Sequence, residues 1–195
     1  MIQKNDVISF FDNCAPTWDA EMIRDDAIIG TILDGAHIHG GEKVLDVACG
    51  TGVLIDDYLQ RNVASVTGVD ISPKMIRRAR EKFSDSRVSF LCGDVETVDL
   101  AHDYDVIVVY NAFPHFPDPA ALIARLSSLL KSGGILTVAH GMSRERIDAH
   151  HHNAAHSVSM GLMEADRLAE LFAEHLSVTT VISDENMYQV VGKKE

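Results

Sequence analysis

Between Val44 and Gly52 the chain reads V-L-D-V-A-C-G-T-G, a β-branched run that ends in an acid and passes into small residues. Small residues let a backbone come close to a ligand, and glycine permits a tight turn. The segment that follows, V-L-I-D-D-Y-L-Q, reads as a helix, whose first turn presents unpaired N–H groups that favour a carboxylate or phosphate. This is the pattern of a nucleotide-binding strand, loop and helix. A second acid, Asp70, ends the next apolar run eighteen residues after Gly52. A carboxylate at that place can accept hydrogen bonds from both hydroxyls of a ribose. By spacing alone, the loop and Asp70 suit NAD as well as other nucleotides.

Histidines supply a second group. His140, His150, His151, His152 and His156 make up half of the ten in the chain. If Ser143 caps a helix running to about Ala155, then Asp148, His152 and His156 fall at successive i,i+4 positions on one face. Two imidazoles and a carboxylate so arranged suit a divalent metal such as zinc, iron, nickel or manganese with an open position, and His140 is placed to join them. The same histidines also suit substrate or proton handling without metal, or a solvated surface helix. His115, just past another apolar run, has the pKa range of a proton acceptor and equally suits a pocket wall.

These residues need a scaffold. Five β-branched runs, Val44 to Val47, Val66 to Val69, Val88 to Leu91, Val106 to Tyr110 and Ile135 to Ala139, alternate with helical patterns, the habit of a doubly wound α/β domain with a mainly parallel sheet. Ser72 with Pro73, and Asp118 with Pro119, place a cap before a first-turn proline; Gly133 and Gly134 are expected to stop the second of these helices. After a helix over Glu164 to Glu174, Val178 to Ser183 and Met187 to Gly192 flank Asp184-Glu185-Asn186 and read as an antiparallel hairpin. Val7 to Phe11 and Ala20 to Leu33 have helical periodicity and are expected to pack outside the sheet. One domain over 1–195 follows: a helical cover over 1–40, a core over 43–140, a His-rich insertion over 141–165, and a helix and hairpin over 166–195.

The net charge is −12 and the pI about 5.2, so the summed field repels a phosphate backbone and nucleic acid is not expected as a partner. Lys74, Arg77, Arg78 and Arg80 are expected to form a solvated helix face. Cys14, Cys49 and Cys92 show no paired spacing, no apolar run is long enough for a bilayer, and a cytoplasmic protein with reduced thiols and no membrane partner is expected.

With these residues in hand, V-L-D-V-A-C-G-T-G resembles the first motif of the class I, Rossmann-like S-adenosylmethionine-dependent methyltransferases, with alanine where many members have the first glycine. The later segments D-I-S-P-K-M, L-C-G-D-V, Y-D-V-I-V-V-Y-N-A-F-P-H-F-P-D and L-L-K-S-G-G-I-L-T-V resemble the family's next elements in order, so that the resemblance covers Val44 to Ala139. It implies a seven-stranded sheet whose last strand is inserted antiparallel, and S-adenosyl-L-methionine as cofactor. It also implies that Asp46, Ala48, Cys49, Gly50 and Gly52 hold the methionine part, Asp70 the ribose, Ile71 and Met75 the adenosine flanks, and Asp94 with Val95 the adenine. Asn111 is expected at the cofactor or substrate. F-F-D-N-C-A-P-T-W-D resembles the N-terminal cover of several small-molecule methyltransferases: Phe11 and Trp18 either stack on ligand or dock the cover, and Asp19 is expected to face the active site, with His115 and His140 as the other catalytic candidates. A small-molecule acceptor is the expected partner. A cofactor-binding, metal-responsive sensor and an NAD-dependent oxidoreductase are the rival readings.

Overall fold

The computed structural model of the protein describes residues 2–154 and 156–195, the side chains of 150–154 and 156 excepted. Helices α1 (Lys4–Cys14), α2 (Trp18–Glu21) and α3 (Asp26–Gly35) precede the sheet; then come β1 (Lys43–Val47), α4 (Ile55–Gln60), β2 (Ser65–Asp70), α5 (Pro73–Lys82), β3 (Val88–Cys92) and β4 (Tyr104–Tyr110). A short 3-10 turn over Phe113–His115 leads to α6 (Pro119–Leu129), β5 (Leu130–His140), α7 (Arg144–Ala154), a second 3-10 turn over His156–Val158, α8 (Ala165–Ala173), β6 (Ser177–Ser183) and β7 (Tyr188–Lys193).

The strands form one seven-stranded sheet in the order β3-β2-β1-β4-β5-β7-β6. β1 pairs in parallel with both β2 and β4, while β7 lies antiparallel between β5 and β6. The strand order reverses at β1 and β4, and in open α/β sheets the crevice outside such a switch point is where ligands bind. Alternation along the strands produces two cores. Leu45, Val47, Ile107, Val109 and Leu136 pack with Leu122, Leu126 and Phe172 on one face, and Val44, Val106, Val108 and Ile135 pack with Ile29, Ile55 and Ala79 on the other.

Local chemistry accounts for the helix ends. Ser72 Oγ accepts from Met75 N ahead of α5, and Asp118 Oδ1 accepts from Ala121 N ahead of α6, each followed by its proline. Asp118→Ala is expected to cost about 1 kcal/mol, read as a lower urea midpoint with an unchanged slope. The expected helical run over Ala20 to Leu33 is broken: Met22 is extended, and Asp25 caps α3 by accepting from Ala27 N and Ile28 N. Gly133 and Gly134 do not stop α6. That helix ends at Leu129, where Leu130 turns extended, and both glycines lie within β5, beside the register shift between Tyr104 and Val106. Gly133 has φ 78°, and a Cβ on Gly134 would stand 3.0 Å from the carbonyl oxygens of Tyr104 and Lys131, which accounts for glycine at both.

At the other end, Asp184 Oδ1 accepts from Asn186 N and Met187 N and closes the hairpin. Lys74, Arg77 and Arg80 are exposed on α5, with Arg80 also donating to Phe90 O. No helix among the described residues is long and apolar enough to cross a membrane.

Candidate active site

A cavity of about 440 Å³ opens at the C-terminal ends of β1, β2 and β4, within the range of small-molecule sites. Its wall includes Trp18, Asp46, Ala48, Cys49, Gly50, Asp70, Ile71, Met75, Asp94, Val95, Asn111 and His115. The ends of β1 and β2 and the turn after β3 therefore bring the three acids of the sequence pattern, Asp46, Asp70 and Asp94, to one space.

Asp46 and Asp70 dominate its electrostatics. Both are almost wholly buried. Burial, with the charge of Asp70 added, pushes the Asp46 carboxyl up to about 8. Burial also raises Asp70, and the amides of Ser72 and Gly50 hold it back to about 6. Asp70 Oδ2 accepts from Gly50 N and Oδ1 from Ser72 N, each at 2.8 Å, so one carboxylate ties the glycine loop to the start of α5. Cys49 beside them is buried, and burial, reinforced by both acids, pushes its thiol far up, which makes it a packing residue rather than a nucleophile.

Trp18 Nε1 is buried without a hydrogen-bond partner, and a Cβ on Gly50 would come 3.8 Å from it. An orphaned N–H beside a loop of this type fits a ligand carboxylate, and two buried acids of raised pKa fit a cation with hydroxyls. Gly52 does other work. It is not on the cavity wall, and a Cβ there would meet the Phe83 ring at 2.7 Å, so its role is to let α5 and the loop pack closely.

The cover helices are fastened to each cofactor-side loop by long-range ties. Lys4 bridges Asp94 and Glu96 after β3. Asp12 accepts from Ser72 Oγ and Lys74 N after β2. Asp19 accepts from Thr51 Oγ1 and Lys82 Nζ at the glycine loop. Nothing in the spacing of these residues announced the ties, which join positions sixty or more apart in two of the three cases and thirty-two apart for Asp19 and Thr51.

Asp19 does not line the cavity. Burial alone would raise its carboxyl, but the bonds from Thr51 and Lys82 outweigh that and hold it below the usual range, so it is a strut and a poor base. His140 is also absent from the wall; it is fully buried at the end of β5, its ring edge-on to Tyr188 at 5.9 Å. His115 does line the cavity. Its Nδ1 lies 2.7 Å from Val158 O, and its ring stands edge-on to Phe11 at 5.0 Å. Phe11 in turn packs edge-on against Trp18 at 5.8 Å, so these aromatics serve both the cover and the wall.

Helix α7 begins after Ser143, whose Oγ accepts from Arg146 N. Asp148 on that helix accepts from Leu162 N at 2.8 Å and lies 3.9 Å from Arg144 Nε, contacts that turn its carboxylate to the following loop. The side chains of His152 and His156 lie outside the described residues, and among the described residues no group of three or more histidine, cysteine or acidic side chains is placed to hold a metal.

The Methyltransferase domain family model matches residues 44–134, the stretch that carries all three acids. The chain belongs to the class I S-adenosylmethionine-dependent methyltransferases. A malonyl-[acyl-carrier protein] O-methyltransferase of Acetivibrio thermocellus is 34% identical over 139 residues, covering 70% of this chain and 49% of the relative. The chain spans about half the length of the curated relatives it matches first. Among solved structures, a methyltransferase from Haloferax volcanii in complex with the Trm112 methyltransferase activator superposes with a TM-score of 0.84 at 20% identity, over 96% of this chain and 97% of that one. Magnesium protoporphyrin IX methyltransferase from Synechocystis PCC 6803, with bound SAH, superposes with a TM-score of 0.72 at 16% identity, over 99% and 100%. Both share the fold of this methyltransferase domain.

Proposed function

We propose that the protein transfers a methyl group from S-adenosylmethionine to a small-molecule acceptor. The observation that carries this reading is the pairing of two buried acids, Asp46 and Asp70, with an orphaned indole N–H over a glycine loop. That donor and acceptor set suits a ligand bearing an ammonium, a carboxylate and a ribose. Asp46 and Gly50, with Trp18, would hold the methionine part, Asp70 the ribose, Ile71 and Met75 the flanks of the adenosine, and Asp94 with Val95 the adenine; Asn111 lies on the same wall. The cofactor supplies a methyl group already activated on a sulfonium, so the protein's work is to orient the acceptor and exclude water.

Titration calorimetry with S-adenosylmethionine and S-adenosylhomocysteine tests the cofactor assignment, and micromolar binding of both is expected. Binding of NAD in their place would overturn it. Trp18→Phe, which keeps a ring and removes the donor, is expected to weaken binding about tenfold with little change in melting temperature, read by the same titration. The divalent metal is not carried into this reading, because Asp148 is engaged by Leu162 and Arg144 and His140 is buried against Tyr188.

The Haloferax neighbour, solved with an activator protein, supports a second reading in which this chain also works with an activator protein. A purified chain that binds the cofactor, turns over nothing, and gains activity when a Trm112-type protein is added would favour it.

A further inference from the structure

The stretch of cavity wall after β3 carries a cation as well as acids. Ile2, Lys4, Asp94, Val95 and Glu96 line it together. Lys4 stands at the start of α1, ninety residues before Asp94, and its ammonium donates to Asp94 Oδ2 and, at 2.5 Å, to Glu96 Oε2. Asp94 Oδ1 accepts from Glu96 N at 3.0 Å, so both oxygens of that carboxylate are held. An ammonium has three hydrogens to donate. Two are committed here, and the third has no partner among the described residues.

Fastening the cover does not by itself account for this placement. Asp12 and Asp19 also tie the cover down and lie off the cavity wall, whereas Lys4 and both of its partners lie on it. Half-exposed ion pairs contribute little to stability, and the Lys4 side chain is 46% exposed. The bonds to Asp94 and Glu96 hold its ammonium above the ordinary range, so it stays a donor at neutral pH.

An accepting oxygen in contact with a donating ammonium complements two neighbouring atoms of a 6-aminopurine, whose amino group donates and whose flanking ring nitrogens, N1 and N7, accept. A lone carboxylate would read the amino group and leave the nitrogen beside it unread. The adenine ring is uncharged, so the match is one of donors and acceptors, with Lys4 offsetting the carboxylates around it.

We infer that Lys4 is a further cofactor-binding residue: Asp94 Oδ2 accepts from the adenine amino group while Lys4 Nζ donates to the ring nitrogen beside it. The inference rests on the methyltransferase reading above. Because Lys4 belongs to α1, the cover helix then completes the base site, and seating the base and closing α1 are one event.

The test is titration calorimetry on the full chain and on Lys4→Met with S-adenosylhomocysteine and its 7-deaza and 1-deaza analogues, each lacking one ring nitrogen beside the amino group. One analogue is expected to bind the unmodified protein about tenfold more weakly than S-adenosylhomocysteine, and Lys4→Met to bind S-adenosylhomocysteine about tenfold more weakly than the unmodified protein does. In Lys4→Met that analogue should match S-adenosylhomocysteine within about twofold, because the donor it cannot use is already gone. Both analogues binding the unmodified protein as well as S-adenosylhomocysteine would overturn the inference, and this comparison needs no variant to fold. A loss that persists undiminished in Lys4→Met overturns it too, since a lysine that merely fastens α1 would shift all three ligands alike. Absence of any S-adenosylhomocysteine binding to the unmodified protein registers separately, as failure of the methyltransferase reading.

Discussion

Asp70→Asn is expected to weaken S-adenosylmethionine binding by about two orders of magnitude. The Asp70 carboxylate already joins Gly50 N to Ser72 N, one oxygen to each. An asparagine keeps one acceptor and turns an NH₂ group toward the other amide, so either the glycine loop or the start of α5 loses its tie. The ligand then loses the negative partner for its ribose and a loop held in register. Hydrogen bonds to a charged group contribute ~1.5–3 kcal/mol each, and a loss near ~3 kcal/mol is a factor of ~10² in affinity. The fold should suffer less than the site, because the substitution also removes a carboxylate whose ionisation is disfavoured by burial. Calorimetry on the variant, with thermal melts as control, checks both parts; affinity within threefold of the parent would sink the assignment.

The parts of this architecture that were legible in the sequence are those fixed by local pattern. The β-branched runs that become the strands, the caps Ser72 and Asp118, the hairpin around Asp184 and the acids at the ends of β1 and β2 and after β3 all depend on neighbours a few residues away. The N-terminal cover was legible only in part. Its break at Met22 depends on Asp25 finding the amides of α3, and its attachments depend on Lys4, Asp12 and Asp19 reaching partners far along the chain. Spacing cannot reveal such partners. The same reason explains Asp19 and Asp148, whose carboxylates looked available for chemistry and are instead held by Lys82 with Thr51 and by the Leu162 amide. His140 shows the complementary case: its position at a strand end suggested the site, but β7 pairs alongside and brings Tyr188 against it.

Cofactor affinity should rise with pH up to about 8, because Asp46 must lose a proton to meet a cationic ligand. With its carboxyl pushed up to about 8 by burial, with Asp70's charge added, Asp46 is mostly protonated in the free protein at neutral pH. A bound ammonium favours the carboxylate, so binding releases a proton below that pH, and affinity changes by up to about tenfold per pH unit. Calorimetry at pH 7 in buffers of different ionisation enthalpy should show release approaching one proton, falling away above pH 8, and Asp46→Asn should remove it. Affinity constant from pH 6.5 to 8, with no proton release, would refute the assignment.

The stability of the free protein carries the opposite sign. A carboxyl raised in the folded state binds more protons there than in the unfolded chain, so this group lowers stability as pH climbs from about 4 toward 8. Asp70, raised to about 6, adds to the same trend over the lower half of that window. Ligand should flatten it, which melts with and without S-adenosylhomocysteine across this range would read directly. Burying two acids side by side is tolerable because Asp46 stays neutral until a cation arrives; the ligand's charge, rather than a lysine or arginine of the chain, completes the site.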